Sequence, residues 1–151
     1  MAHVLNFLRT SSAPLVSPRR PLLPGTPPPA HLPLNPVLYL TVAVDSVAPL
    51  LRVLRLKNAG GGGRSLEVPF PLSVRQRRRQ AWRWIMDVVN AKPSVGSGRK
   101  QLAHRIGEEI VAIVEGRSSV WDRKMALQKM ATTARVNVAE LGAKRKKRMG
   151  R

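Results

Sequence analysis

The spacing of apolar residues changes period in the middle of the chain, between Val68 and Val89. On the near side Leu66, Val68 and Phe70 alternate with other residues. Pro69 and Pro71 lack an N–H and fix φ, which bars a helix and allows only an edge strand. From Ser73 to Lys92 neither proline nor glycine occurs. Ala81, Ile85 and Val88 recur at helical spacing, with Trp82, Met86 and Val89 one position round. The pattern predicts a helix from about Ser73 to Ala91. Upstream, Val53, Leu54 and Leu56 are interleaved with Arg52, Arg55 and Lys57, and the run of glycines Gly60, Gly61, Gly62 and Gly63 follows. Together with the return segment this reads as a β-hairpin with a long loop, its outward side chains Arg55, Lys57 and Arg64 set against Glu67.

Two further helices follow from periodicity. Leu102, Ala103, Ile106, Ile110, Ile113 and Val114 form one apolar face, starting from Ser97 or Gly98 and stopped at Gly116 as a C′ glycine. Val120, Leu127, Ala131, Ala134, Val138 and Leu141 form another, opened by Ser119 and Asp122 as a capping box and ended by Gly142. Val37 to Leu51 is ambiguous: Val42, Val44, Val47 and Leu51 suit one side of a short helix, while the β-branched content also suits a strand. The expected fold is therefore mainly α, a bundle of about three main helices with one protruding β-hairpin. Such a core is small, and a partner that binds only the folded form adds to its stability.

The ends are of different composition. Nine of the thirteen prolines lie within residues 1–40, and no acidic residue precedes Asp45. Pro14 to Pro36 reads as a disordered or polyproline-like linker. The opening M-A-H-V-L-N-F-L-R-T-S-S is apolar on one side, with Arg9, Ser11 and Ser12 and no acid. It suits a mitochondrial presequence or, alternatively, a frayed tail with no address. The division is then 1–40 presequence or disordered segment, 41–142 folded domain and 143–151 basic tail. K-R-K-K-R in that tail is a like-charge block expected to be disordered without a ligand, whether nuclear signal, solvated tail or RNA-threading extension.

Charge narrows the function. The chain carries 27 Lys and Arg against 8 Asp and Glu, a net charge of +19. A field of that sign attracts polyanions, either nucleic acid or an anionic membrane surface. Arg75, Arg77, Arg78, Arg79 and Arg83 crowd the first turns of the central helix, where each cation opposes the macrodipole by roughly 0.3–1 kcal/mol. An external anion explains why a sequence keeps them there, and RNA phosphate fits best. The absence of cysteine and the presence of three scattered His exclude a disulfide framework or thiolate zinc site and leave no His-rich metal site. No catalytic constellation is evident. A nucleotide-binding P-loop is not expected, since neither Lys-Ser/Thr nor a helix follows the glycines. No cofactor and no catalytic residue is expected. Trp82, Trp84 and Trp121 serve either core packing or base stacking. His104 and Glu108, four apart, read as a surface pair, and Glu108, Glu109 and Glu115 as partners of Arg105 and other basic neighbours. Two other classes stay open. One is a DNA-binding protein using the second and third helices as a helix-turn-helix. The other is a cationic membrane-surface protein, for which residues 1–12 are short; no stretch long enough to span a bilayer occurs.

Four segments in order carry a resemblance. A-V-D-S-V-A-P-L-L-R-V, G-G-G-R-S-L-E-V-P-F-P-L-S-V-R-Q-R-R-R-Q-A-W-R-W-I, R-K-Q-L-A-H-R-I-G-E-E-I-V-A-I-V-E-G-R and V-W-D-R-K-M-A-L-Q-K-M-A resemble, over about two thirds of the chain, protein seven of the small ribosomal subunit. The resemblance is to its bacterial and mitochondrial branch, in a mitochondrial, fungal-like form. The family's N-terminal region, with its Gly-Lys-Lys turn, has no counterpart, and proline-rich sequence stands in its place. The aromatic residues that usually follow the Met-Ala helix are replaced by Arg135-Val-Asn-Val. The resemblance implies a structural constituent of the small subunit that binds the 3′ major domain of its rRNA and supports head assembly. It implies neighbouring head proteins as partners and a hairpin near the tRNA and mRNA path at the exit site. It places Arg75, Arg77, Arg78, Arg79, Arg83, Arg99, Lys100, Arg117, Arg123 and Lys124 on rRNA, and Arg55, Lys57, Arg64 and Gly60 to Gly63 on the hairpin.

Overall fold

The computed structural model describes residues 1–57, 64–93 and 101–139. Five helices and one hairpin follow in order: α1 (Ala2–Thr10), a 3-10 turn (Pro29–Leu34), α2 (Pro36–Val47), β1 (Leu51–Leu56), β2 (Leu66–Pro71), α3 (Val74–Ala91), α4 (Gln101–Val114) and α5 (Val120–Ala134). The fold is mainly α with a two-stranded antiparallel hairpin, as the periodicity predicted.

The ambiguous stretch after Pro36 is a helix. Pro36 occupies its first turn, where no N–H is needed, and Asn35 Oδ1 accepts from the Leu38 N–H at 3.1 Å. Tyr39, Val42, Ala43, Ser46 and Val47 are its buried positions, a helical stripe that outweighs β-propensity once it has a core to face. The hairpin pairs Leu51 with Pro71 and Leu56 with Leu66, and the Leu72 N–H closes its base on Leu50 O at 3.0 Å. In so small a sheet both strands are edges, which is how β2 accommodates Pro69 and Pro71. α3 matches its predicted span, with Gln76 Oε1 accepting from the Ser73 N–H at 3.1 Å. It buries Ala81, Ile85 and Val89. α5 lies along both strands, and Asn137 Nδ2 donates to Glu67 O at 2.8 Å.

The central core gathers Leu8, Leu32, Tyr39, Val47, Ile85, Val89, Ile110, Ile113 and Val120 from every helix and the 3-10 turn. The N-terminal forty residues therefore differ from the disordered segment expected. Their prolines do exclude long helices, but the intervening residues pack. α1 makes its main contact with α4 and buries Val4 and Leu8. Gly107 is the reason α1 comes so close: a Cβ there would lie 2.2 Å from the Phe7 ring. Phe7 also meets His104 edge-on at 4.8 Å. Further along, Arg20 donates to Gly116 O at 2.8 Å and to Ser118 O at 3.2 Å, and pairs with Asp122 at 2.6 Å. The Leu23 N–H donates to Ser46 Oγ at 3.1 Å.

Three local expectations are corrected. Gly116, at φ +75°, does end α4, but the hydroxyl at the start of α5 belongs to Ser118, not Ser119. Ser118 Oγ accepts from the Val120 N–H at 3.1 Å and donates to Glu109 Oε1 at 2.5 Å. Asp122 is taken by Arg20 instead of completing a capping box. Leu102 and Val138, read as apolar-face positions, are exposed; α5 ends at Ala134, which leaves Val138 beyond its packed turns. Glu109 pairs with Lys92 at 2.6 Å and Glu115 with Arg117, while Arg105 donates to Lys92 O at 3.0 Å. The acids thus find basic neighbours as expected, but Arg105 is not one of them, because it caps the end of α3. The second helix's start at Ser97 or Gly98, and Leu141, Gly142 and the basic tail, lie outside the described residues.

Candidate nucleic-acid interface

The basic residues fall into two groups according to what the chain itself offers them. Arg77 Nε donates to Leu72 O at 2.9 Å, tying the start of α3 to the hairpin exit. Arg78 grips both oxygens of Asp45 at 2.7 Å each, a two-pronged bond between α3 and α2. That carboxylate, first by its hydrogen bonds and then by its charge, pushes the guanidinium pKa further up. Arg123 reaches Asp87 at 3.0 Å, and Arg117 pairs with Glu115. Arg55 pairs with Glu67 directly across the hairpin at 2.7 Å. Lys124 donates to Ser46 O at 2.5 Å and sits 5.2 Å from the Trp121 ring; burial lowers its pKa.

Arg75, Arg79 and Arg83 are different. They recur every four residues on α3, so they share one face, and all three are exposed. Among the described residues none has a carboxylate or carbonyl partner. Arg52, exposed on β1, is the cross-strand neighbour of Phe70 and lies 5.8 Å over its ring. It too has no anionic partner among the described residues. Gln76, Gln80 and Trp84 run along the next face of α3. With Arg79 and Arg83 they line a groove of about 510 Å³ that β1 and α5 help to enclose. No acidic residue lines that groove. Lys57 follows β1 and Arg64 precedes β2, and both are exposed. Arg99, Lys100 and the glycines Gly60 to Gly63 lie outside the described residues.

Neither Arg52 nor the groove was legible beforehand, since Arg52 reads simply as one of several hairpin cations. The signal that could have found it is its register opposite Phe70 at the base of the hairpin, close to where α3 begins. The tryptophans separate as well. Trp121 is buried and donates its indole N–H to Ile113 O at 2.9 Å, so it is a packing residue. Trp82 and Trp84 are partly buried against the core, and Trp84 also lines the groove. His104 and Glu108 form the expected exposed pair at 3.5 Å. Among the described residues no cluster of His, Asp and Glu is placed to hold a metal ion, and no helix is long and apolar enough to cross a membrane.

A family model described as ribosomal protein S7p/S5e matches residues 29–135. The chain is 62% identical over 138 residues to the small ribosomal subunit protein uS7m of Neurospora crassa, covering 91% of this chain and 45% of that protein. It is 34% identical over 103 residues to uS7m of Schizosaccharomyces pombe, covering 68% of this chain and 37% of that one. Against the small ribosomal subunit protein uS7 of Thiomonas delicata the identity is 28% over 97 residues, 64% of this chain and 57% of the relative. The chain thus spans less than half the length of the two fungal relatives.

Proposed function

The chain belongs to the ribosomal protein S7p/S5e family, and from that premise we propose that it is a non-catalytic, rRNA-binding constituent of the mitochondrial small ribosomal subunit. It binds the 3′ major domain of small-subunit rRNA and supports head assembly and translation. Kinship with the fungal uS7m proteins supports the mitochondrial location. The N-terminal helix adds nothing to that argument, because α1 is built into the core.

The observation that carries the reading is the stripe Arg75, Arg79 and Arg83, which has no anionic partner among the described residues, beside Arg52. A folded domain that pairs Arg78, Arg123, Arg55 and Arg117 internally leaves these four for an outside anion. Arginine suits structured RNA, because its planar fork takes phosphate through two bonds and stacks on bases. Arg77, Arg78, Arg117, Arg123 and Lys124 act chiefly by holding the fold, with any phosphate contact secondary. The hairpin, whose Leu56 and Lys57 end is exposed, carries Arg55, Lys57 and Arg64 towards tRNA and mRNA near the exit site, with other head proteins as neighbours.

The test is binding of the chain to a 3′-major-domain rRNA fragment and to duplex DNA across a salt series. Both complexes weaken with salt, and the rRNA complex keeps its preference throughout. Equal affinity for both nucleic acids at every salt concentration overturns the reading. A helix-turn-helix mode is disfavoured by the state of α5. Its early cations are already occupied, Arg123 by Asp87 and Lys124 by Ser46 O, and Trp121 is turned into the core.

A further inference from the structure

Many phosphate-binding surfaces are flat, but the one here contains a recess. The groove between the hairpin base, α3 and α5 is lined by Arg52, Arg79, Arg83, Gln80, Trp84 and Leu127, among others. Its volume of about 510 Å³ lies in the roughly 300–1,000 Å³ range of small-ligand sites. The lining is of mixed character. Guanidiniums supply charge for phosphate, and Trp84 and Leu127 supply an apolar surface. Gln80 supplies an amide with both a donor and an acceptor, and it has no partner among the described residues. The helical spacing of Arg79 with Arg83, and of Gln80 with Trp84, brings charge and aromatic surface side by side. Duplex bases are stacked inside their helix and present no face to a recessed indole. An unpaired nucleotide presents a base face, a base edge and phosphates on either side.

We propose that this groove seats one unstacked nucleotide of a single-stranded RNA segment, its base against Trp84 and its flanking phosphates on Arg79, Arg83 and Arg52. Gln80 bonds the base edge. Cation–π attraction adds to the stacking where a guanidinium lies over the base. The proposal rests on the rRNA-binding reading above and specifies how part of that interface works: α3 captures a nucleotide splayed from a loop or bulge as well as touching helical backbone.

The experiment uses the full chain with a short oligouridine and with its abasic counterpart, which keeps the phosphates and lacks the bases. Stacking on one aromatic corresponds to roughly a five- to hundredfold change in affinity. Trp84→Leu is expected to weaken oligouridine binding by about tenfold and to leave the abasic strand unchanged. Trp84→Phe restores most of the loss. Oligouridine quenches tryptophan fluorescence in the parent chain and much less in Trp84→Phe. Arg79→Gln weakens both strands and reduces the salt slope by about 0.7. Equal weakening of both strands by Trp84→Leu, or no weakening of either, overturns the proposal. If oligouridine fails to bind while the rRNA fragment binds with preference over DNA, the nucleotide site is overturned and the rRNA reading stands. If the fragment shows no preference either, both fall.

Discussion

Arg78 and Arg79 are neighbours in a run of three arginines, and the fold gives them opposite work. Arg78 points back to α2 and holds both oxygens of Asp45. Arg79 lies a quarter-turn round the helix, exposed beside the groove with no partner among the described residues. The contrast extends over the molecule. One region, formed by α1, α2, the α4–α5 turn and the inner face of α3, spends its polar groups on itself: Arg20 on the turn carbonyls, Arg105 on the end of α3, Lys92 and Ser118 on Glu109, Lys124 on Ser46 O. The other, formed by the outer face of α3 and the base of the hairpin, leaves Arg52, Arg75, Arg79 and Arg83 without an anionic partner among the described residues. The lesson is that a charge count overstates the binding surface, because a domain this basic uses many of its cations as structural donors.

If the two regions are distinct, changes in one should alter RNA binding without stability, and changes in the other stability first. The largest effect is expected from Arg75→Gln, Arg79→Gln and Arg83→Gln together. Three charge-assisted contacts are lost, each worth about 1.5–3 kcal/mol, so affinity for the rRNA fragment should fall by roughly three orders of magnitude or more. The urea unfolding midpoint should hardly move. A large loss of stability with intact affinity would show that the stripe is structural.

Next is Lys92→Met. It leaves Glu109, fully buried, without its cation. Breaking a buried pair costs about 3–5 kcal/mol. Because Lys92 is one-third exposed, solvent reduces the figure to roughly 2–4 kcal/mol, readable in chemical denaturation. A change below 0.5 kcal/mol, by the usual spread of surface substitutions, would mean that Ser118 alone satisfies the carboxylate.

Tyr39 tests the same region by pH. Burial, then the charge of Glu115, pushes its pKa from 10.0 to about 12. Ser11 gives its hydroxyl to Leu8 O, and the Tyr39 hydroxyl has no hydrogen-bond partner among the described residues. The folded state keeps this proton longer than the unfolded one. Its contribution is therefore complete below pH 10 and is lost as pH rises from 10 through about 12. The loss is roughly 2–3 kcal/mol. Tyr39→Phe should flatten that part of the pH–stability curve; a slope that persists must come from another group.

Gly107→Ala should cost about 1–3 kcal/mol through the clash with Phe7. Combining it with Phe7→Ala should recover part of that loss in a double-mutant cycle. Additive losses would mean that α1 does not rest on Gly107. The smallest effect belongs to Arg78→Gln. The Arg78 side of its pair with Asp45 is half exposed, so solvent screens the pair and the urea midpoint should shift only slightly, with rRNA affinity little altered. A drop in affinity comparable to that of the triple variant would erase the distinction between the two groups.

The sequence by itself determined the periodic elements. The proline-to-helix transition at Ser73, the span of α3, the glycine stop at Gly116 and the hairpin follow from local sterics and apolar spacing, which need no distant partner to be read. It also determined the overall sign of the partner, since net charge is a sum. Tertiary structure alone decided the remainder. Val4 and Leu8 look like one side of a short leader helix until Gly107, a hundred residues on, leaves room for Phe7 beside them. Ser118 displaces Ser119 at the start of α5 because Glu109 is buried within reach of its hydroxyl. Which arginines remain available depends on where Asp45, Asp87 and the open carbonyls at the ends of α3 and α4 come to lie. Those are long-range contacts, and one turn of α3 carries both kinds of arginine at adjacent positions, so no local pattern distinguishes them.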